Sequence, residues 1–308
     1  MKYFLLTDTH FGAKNSSMTW WKSMSSFIYN LFLLDVENCE EDVNIIHLGD
    51  VFDSRSTINT YIANGVRKIF QDMAALDNVK NIYVIGGNHD YYSPENNDHC
   101  SIDIVLNNIP KVEIVSHRPL GLVDDGIALL PWGHDINDAP DDFKYIFTHM
   151  DLITDNPKLS RPVFSGHIHS PYVRGNCRNL GSCFPLTFSD INQARYYYTW
   201  DSETDELKKF PNTISIRFWR AKSLKEFDEL LPKMREGDYI ELYIKQSELS
   251  ANIDRIGEFN KQFKNIWIIP QPDELGEITD IECNIDSIIN QSIPEELKEA
   301  FSNVLARI

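Results

Sequence analysis

The sequence is poor in cysteine and in long apolar runs, and both absences exclude whole classes of protein. No apolar run approaches the length that a membrane-spanning helix needs, and the first residues, MKYFLLTDTH, turn polar too soon for a signal peptide. The five cysteines (positions 39, 100, 177, 183 and 283) are odd in number and form no CxxC pair, so neither a disulfide framework nor a zinc knuckle is indicated. We therefore expect a cytoplasmic protein with reduced thiols and no membrane association.

Basic residues are also scarce. The chain has 29 Lys and Arg against 46 Asp and Glu, which gives a net charge of −17 at pH 7. Because contacts with phosphate rely on Lys and Arg, this balance argues against a protein that binds nucleic acid through a general basic surface. A polyanionic substrate would need bound divalent cations, a local basic strip or a partner.

What is present is a repeated pattern of strand and helix. Three apolar runs, KYFLL, VNIIHL and NIYVI, have the composition of strands, and each ends in a polar cluster. Helical periodicity over residues 20–38 and 57–76 separates them, so the first half is predicted to be α/β. In such sheets ligands bind outside the carboxyl ends of the strands. Shorter runs follow after Asp124, and we interpret them, including ARYYYTW and ELKKFP, as a second sheet.

A new pattern begins near residue 211. The strands ISIRFW, YIELYI and NIWIIP alternate with two helical stretches, which predicts a small βαβαβ domain over residues 211–270, after a main domain of residues 1–210. Residues 271–308 are acidic and end in an amphipathic helix with an apolar stripe at Leu297, Phe301 and Leu305.

Five clusters of metal-ligand residues follow one another along the chain, each at the end of a predicted strand. They are Asp8-Thr9-His10, Gly49-Asp50-Val51-Phe52-Asp53, Gly87-Asn88-His89-Asp90, Thr148-His149 and Gly166-His167-Ile168-His169. Carboxylate, imidazole and amide oxygen suit Mn, Fe, Zn or Mg better than a metal that prefers thiolates. The ligands outnumber what one ion needs, so the clusters predict a two-metal site bridged by an aspartate.

These clusters resemble the ordered signature of the calcineurin-like metallophosphoesterase superfamily: DxH, GDxxD, GNH(D/E), a lone His and GHxH. The resemblance implies two mixed sheets sandwiched between helices and two divalent ions, with Mn²⁺ expected first and Mg²⁺, Fe or Zn as alternatives. It implies that one ion is held by Asp8, His10, Asp50 and His169, and the other by Asp50, Asn88, His149 and His167. Thr148 departs from the Gly-His that the fourth motif usually shows.

The same resemblance assigns three residues that do not bind metal. His89 would contact the scissile phosphate and protonate the leaving oxygen, while Asp53 and Asp90 would accept ring N–H bonds that orient the imidazoles. Gly86 and Gly87 would let the backbone crowd the site.

Within the superfamily, the chain resembles the nuclease subunit of the double-strand-break repair complex (SbcD type), especially its bacteriophage recombination-endonuclease members. The similarity covers nearly the whole chain and includes GDVFDSRS, LLPW at 129–132, and NLGSCFPLTFSD after the GHIH motif. It implies a DNA exonuclease and endonuclease of recombination, repair and replication, located in the host cytoplasm if the chain is viral. Many cellular members carry His at the position of Asp53, which leaves the balance of the two activities open.

The resemblance also implies partners. These are DNA ends and single-stranded DNA, an SMC-like ATPase subunit (SbcC type) bound by the helical tail, and a second copy of the chain. For the homodimer we predict an apolar stripe of Ile58, Tyr61, Ile62 and Val66, with burial inside the monomer as the alternative.

Two further questions stay open at this point. Residues 212–225 carry four bases and no acid, Arg217, Arg220, Lys222 and Lys225. They form either a strip that faces DNA or an ordinary solvated face. The alternatives to a nuclease are a metallophosphatase or phosphodiesterase acting on protein or small-molecule phosphoesters, and a non-catalytic scaffold.

Overall fold

The computed structural model of the chain describes residues 1–93, 96–152 and 160–273. The predicted helical tail therefore lies outside the described residues. Two six-stranded mixed sheets and one three-stranded sheet organise this part of the chain, and the α/β fold class is confirmed. None of the described helices is both long and apolar enough to cross a membrane.

The first sheet has the strand order β14-β13-β1-β2-β3-β6. Strands β1, β2, β3 and β6 run parallel to one another. Strand β13 pairs antiparallel with β1, and β14 pairs antiparallel with β13. Its strands are β1 (Lys2–Leu6), β2 (Val43–His47), β3 (Val79–Ile85), β6 (Val112–Val115), β13 (Tyr196–Asp201) and β14 (Leu207–Pro211). A hairpin of β4 (Tyr91–Ser93) and β5 (Asn96–Cys100) follows β3.

The second sheet has the order β11-β12-β10-β9-β8-β7, with a parallel centre and an antiparallel strand at each edge. Its strands are β7 (Leu120–Leu122), β8 (Ile127–Leu130), β9 (Tyr145–Thr148), β10 (Val163–Ser165), β11 (Tyr172–Arg174) and β12 (Cys177–Asn179).

Helices cover the outer face of the first sheet. They begin with a single turn, α1 (Ala13–Ser16), whose residues Lys14 and Asn15 have left-handed backbone angles. The others are α2 (Met18–Phe27), a π-helical stretch (Ile28–Phe32), α3 (Leu33–Glu37), α4 (Thr60–Ala75) and α5 (Ser101–Val105). Asn59 caps α4 by accepting from the N–H groups of Tyr61 and Ile62, which satisfies two donors at the start of the helix.

Alternation along β1 shows how the layers form. Phe4 and Leu6 pack into the cluster beneath the helices, while Tyr3 and Leu5 pack into the cluster between the two sheets. Successive side chains of a strand point to opposite faces, so a strand buried on both faces is apolar, as β1 is from Tyr3 to Leu6, after the partly buried Lys2. This packing places the carboxyl ends of the parallel strands of both sheets side by side.

One part of the predicted topology is wrong. The segments ARYYYTW and ELKKFP were expected in the second sheet, but they form β13 and β14 of the first, where β13 pairs with β1. Without β13, one edge of the buried strand β1 would carry unpaired N–H and C=O groups. The pairing that removes this cost is non-local, and the sequence pattern carries no signal for it.

Residues 218–271 form the third sheet, β15 (Phe218–Ala221), β16 (Tyr239–Lys245) and β17 (Asn265–Gln271), with all strands parallel. It is connected by α6 (Leu224–Leu230), α7 (Gln246–Ala251) and α8 (Ile253–Gln262). The strand predicted at ISIRFW starts later, because Asn212 accepts the N–H groups of Ile214 and Ser215 in a turn. The division into domains stays a prediction.

Candidate metal centre

The predicted ligands lie just beyond the carboxyl ends of five strands. Asp8 and His10 follow β1, Asp50 follows β2, and Asn88 follows β3. From the second sheet, His149 follows β9, and His167 and His169 follow β10. Because these ends meet at one edge of the two sheets, His10 and His169, 159 positions apart in sequence, come into contact.

The first group of side chains is Asp8, His10 and His169. The Nε2 atoms of His10 and His169 lie 3.1 Å apart, and each lies within 4 Å of Asp8 Oδ1, at 3.9 and 3.8 Å. Asp8 and His10 are buried, whereas 36% of the His169 side chain is exposed. This group is therefore open to solvent on the His169 side.

The second group is Asp50, Asn88, His149 and His167. His149 Nε2 lies 3.3 Å from Asp50 Oδ1 and 3.1 Å from Asn88 Oδ1, and His167 Nδ1 lies 2.9 Å from the same amide oxygen. Asp50 also reaches the first group, since its Oδ2 lies 3.5 Å from His10 Nε2. Asp50 thus stands between the two groups, one carboxylate oxygen toward each.

The backbone at the site is strained. Asp8, His10, Asp50 and His167 have φ values of 49°, 44°, 54° and 79°. Non-glycine residues seldom adopt this left-handed region, which costs on the order of 1–2 kcal/mol per residue. Four of the seven predicted ligands carry this cost, so the fold places them against local preference.

Two motif glycines leave no room for a side chain. A Cβ on Gly87 would lie 2.2 Å from the Asp50 N and 2.3 Å from its Oδ1, and one on Gly166 would lie 2.1 Å from Thr7 Oγ1. The loops after β3 and β10 therefore approach Asp50 and Asp8 as closely as backbone permits. The crowding was predicted for Gly86 and Gly87; Gly87 lies against Asp50, whereas a Cβ on Gly86 would lie 2.5 Å from the Tyr91 hydroxyl oxygen and not against a ligand.

Burial and the nearby acids shift the pKa values of the imidazoles in opposite directions. Burial lowers the pKa of His149, but the charge and hydrogen bond of Asp50, together with Asp8, outweigh it and raise that pKa to about 9. Burial also lowers the pKa of His10, and Asp53, Asp50 and Asp8 again reverse the sign. For His167 and His169 burial dominates, and their pKa values fall below the ordinary value. The negative potential of the acids is therefore strongest at His149 and His10, where it favours a positive charge, either a proton or a bound cation.

The donor set fits divalent cations. When the imidazoles are deprotonated, both groups present lone pairs of nitrogen, carboxylate and amide oxygen to one another, and a bound cation would replace the protons that the acids favour on His149 and His10. Turning the Asn88 amide over would direct its NH₂ at Asp50, His149 and His167 and bring its oxygen to 3.0 Å from Arg55. The orientation with oxygen inward is the one that a cation requires. The described clusters of potential metal ligands contain histidine and aspartate but no cysteine.

His89 and Asp53 lie beside the first group. His89 Nδ1 lies 2.6 Å from the carbonyl oxygen of Asp53, and the His89 N–H donates to Asp50 Oδ1 at 2.8 Å. Asp53 Oδ1 lies 3.4 Å from His10 Nδ1, the position expected of a carboxylate that orients this ring.

The contact predicted for Asp90 is wrong. Its carboxylate is buried and accepts the backbone N–H groups of Val51, Phe52 and Gly87, at 3.2, 3.0 and 2.9 Å, rather than an imidazole N–H. Burial raises the pKa of Asp90 to about 7. Asp90 therefore joins the loops after β2 and β3 and acts on Asp50 and Asn88 only through the main chain.

Two contacts were missed from the sequence. Trp132, the last residue of LLPW, lies with its ring 5.0 Å from that of His167 and forms a wall of the site. Thr7 donates from Oγ1 to Asp8 Oδ2 at 2.5 Å. The position of Thr7 directly before the DxH motif was its only signal, and threonine is common at strand ends that have no part in a site.

The fold and the convergence of these ligands are those of a metal-dependent phosphoesterase. The calcineurin-like phosphoesterase family model matches residues 1–171, and the chain belongs to this family. It is therefore a hydrolase of the metallophosphoesterase superfamily, and the family is metal-dependent.

The chain is also similar to one phage protein and to one solved structure. The chain is 25% identical over 288 residues to exonuclease subunit 1 of Enterobacteria phage T4, an alignment that covers 84% of this chain and 81% of the phage protein. Among solved structures, it is similar to an archaeal phosphodiesterase with a TM-score of 0.39 and 17% identity, over 69% of this chain and all of the other.

Proposed function

We propose that this protein is a metal-dependent nuclease that hydrolyses phosphodiester bonds of DNA. The observation that carries the proposal is the position of Asp50 between two groups of ligands, since two-metal sites recur among nucleases. Similarity to a phage exonuclease subunit over 84% of the chain favours DNA among the phosphoester substrates.

Two divalent cations, for which we propose Mn²⁺, would supply water of lowered pKa and offset charge on the phosphoryl oxygens. Asp8, His10 and His169 would hold one, Asn88, His149 and His167 the other, and Asp50 both. The strained loops fix these side chains before substrate arrives, so that little reorganisation is needed.

His89 is the residue we assign to the leaving group. Because the Asp53 carbonyl accepts the Nδ1 proton, the other ring nitrogen is the one available to substrate. That nitrogen, when protonated, would give its proton to the departing oxygen. Trp132 limits access of bulk water from the His167 side.

Because the net charge of the chain is −17, DNA binding would depend on local groups of basic residues. In the predicted basic strip, Arg220 pairs with Glu241 through Nε and NH2, both at 2.6 Å, so its charge is largely offset. Arg217, Lys222 and Lys225 are exposed, and we propose that these three face the DNA backbone.

We also propose two protein partners, an SMC-like ATPase bound by residues 285–308 and a second copy of the chain. The stripe predicted for the dimer needs correction, because Ile62 and Val66 are buried inside the monomer. Of the predicted stripe, Tyr61 is 60% exposed; Ile104, which the prediction did not include, is 81% exposed, and we propose that these two contribute to the contact. Light scattering of the full chain and of Ile104→Asp tests the dimer; a monomeric wild type of 35.7 kDa at tens of micromolar would contradict it.

The test of the nuclease proposal uses chelator-treated protein to which Mn²⁺ is returned. Labelled duplex DNA, labelled single-stranded DNA and a generic phosphomonoester are incubated in parallel with wild type and Asp50→Asn. We expect manganese-dependent cleavage of DNA by the wild type alone. Hydrolysis of the monoester without DNA cleavage would indicate a phosphatase instead, and inactivity on all three substrates would favour a scaffold.

A further inference from the structure

The loop that carries His169 is held through its main chain. Three consecutive carbonyl groups of this loop accept hydrogen bonds: Asn179 Nδ2 donates to Ile168 at 2.7 Å and to Ser170 at 3.0 Å. The His169 carbonyl accepts the Ser182 N–H at 3.0 Å and a guanidinium N–H of Arg195. His169 has a more exposed side chain than Asp8 or His10, so its position depends on these backbone contacts.

Arg195 is the charged member of this arrangement and is itself fixed. Its side chain is 1% exposed, and its NH2 lies 2.5 Å from Asp190 Oδ1. Asp190 is held in turn, because its other oxygen accepts the N–H groups of Leu186 and Thr187 at 2.6 and 2.9 Å. The planar guanidinium can contact a carboxylate and a carbonyl at once, which the ammonium of lysine does less well.

We propose that Arg195 is a positioning residue for His169. Paired with Asp190, it fixes the backbone of the GHIH loop so that His169 Nε2 stays beside His10 and Asp8. The buried ion pair thereby connects the short 3-10 helix Phe188–Asp190 to one half of the metal centre. The inference rests on the metal centre of the proposed function and not on the choice of DNA as substrate.

The choice of variant matters, because Arg195→Ala would leave Asp190 buried without a counter-charge and could prevent folding. The double variant Arg195→Gln with Asp190→Asn removes both charges and keeps polar groups at both positions. A control of the same chemistry is Arg178→Gln with Asp205→Asn, which removes a partly buried two-contact ion pair, at 3.0 and 2.9 Å. Thermal unfolding establishes that each variant folds.

Manganese titration by calorimetry and electron paramagnetic resonance provide the readouts. We expect the wild type and the control to bind two equivalents and to show the spectrum of an exchange-coupled pair. The Arg195→Gln, Asp190→Asn variant should bind one equivalent normally and the other about 10- to 100-fold more weakly, with the spectrum of an isolated ion. Unchanged binding of both ions, or equal weakening of both, would overturn the role of Arg195. A wild type that binds fewer than two ions would overturn the metal centre itself.

Discussion

The site edge of the first sheet and the small three-stranded sheet are built alike and yet differ in their strand ends. Both contain parallel strands connected by helices. At the site edge, three predicted ligands, Asp8, His10 and Asp50, have positive φ, whereas in the described residues 212–273 no non-glycine residue does. Left-handed backbone also occurs outside the site, as at Lys14 and Asn15, but the third sheet shows that a parallel architecture does not itself require it.

The two regions also differ in the partners of their buried aspartates. Asp238, at the start of β16, is fully buried and accepts three N–H groups, from Arg217 at 2.9 Å, Trp219 Nε1 at 2.7 Å and Arg235 at 3.0 Å. Asp50 is equally buried but accepts one backbone N–H and faces imidazole nitrogens with the rest of its surface. A buried carboxylate satisfied by N–H donors stabilises a fold, whereas one that faces imidazole nitrogens favours a positive charge beside it, either a ring proton or a bound cation.

The largest expected effect is that of Asp50→Asn, compared with Asp238→Asn. Because Asp50 faces both ligand groups, its loss should lower the occupancy of both manganese ions and abolish DNA cleavage. Asp238→Asn should weaken a network of N–H bonds and lower the unfolding temperature without changing metal content. Elemental analysis of the dialysed proteins measures this.

For this pair, two full equivalents of manganese in Asp50→Asn would contradict the bridging position. As a second reference, His10→Ala should lose mainly one ion, because His10 contacts the first group while the second stays complete.

Next in size is His89→Asn, which separates chemistry from binding. We expect it to keep both metals and its affinity for DNA while its rate of cleavage falls on the order of 10²-fold or more, since a proton donor to the leaving group is lost. Single-turnover cleavage and fluorescence anisotropy with labelled DNA give the two quantities. Near-normal turnover would remove His89 from the mechanism.

The sequence predicts the features of these two regions that depend on local residue patterns. It does not predict the features that depend on contacts between distant parts of the chain. Asp8, Asp50 and His149 were predictable as neighbours, because strand ends and ligand residue types are local features. The pairing of β13 with β1 was not, since it depends on a non-local edge, and neither was the partner of Asp90. An aspartate beside motif residues can contact a ring or the main chain, and only the positions of Val51, Phe52 and Gly87 decide between them.

A smaller effect is expected for Asp90→Asn. At pH 6, below the Asp90 pKa of about 7, the buried side chain is largely neutral. The amide keeps one oxygen as an acceptor and leaves at least one buried N–H group unpaired, so the variant should lose about 1–3 kcal/mol of unfolding free energy. Both manganese ions should still bind to the folded protein. Urea unfolding and metal titration test the two statements, and intact stability with weakened metal binding would restore the ring-orienting role predicted from the sequence.

The smallest effect concerns His47, a buried residue of β2 that contacts Thr9 rather than the ligands. Its Nε2 lies 3.0 Å from Thr9 Oγ1, and burial together with the charge of His149 lowers its pKa to about 3. The unfolded chain binds a proton at this residue below its ordinary pKa of about 6.5, whereas the folded protein does not. Its contribution to stability is therefore complete above about pH 6.5 and is lost as the pH falls toward 3.

Between pH 6.5 and 5 this amounts to about 2 kcal/mol, or about 1.4 kcal/mol per pH unit. We expect His47→Gln to lack this component, so that its unfolding free energy falls less steeply with acidification than that of the wild type. Urea unfolding of both proteins in chelator at several pH values gives the two slopes, and the shared contributions of the other histidines cancel in the comparison. Equal slopes would show that His47 accepts a proton within the fold, and that the sheet beneath the site tolerates a charge.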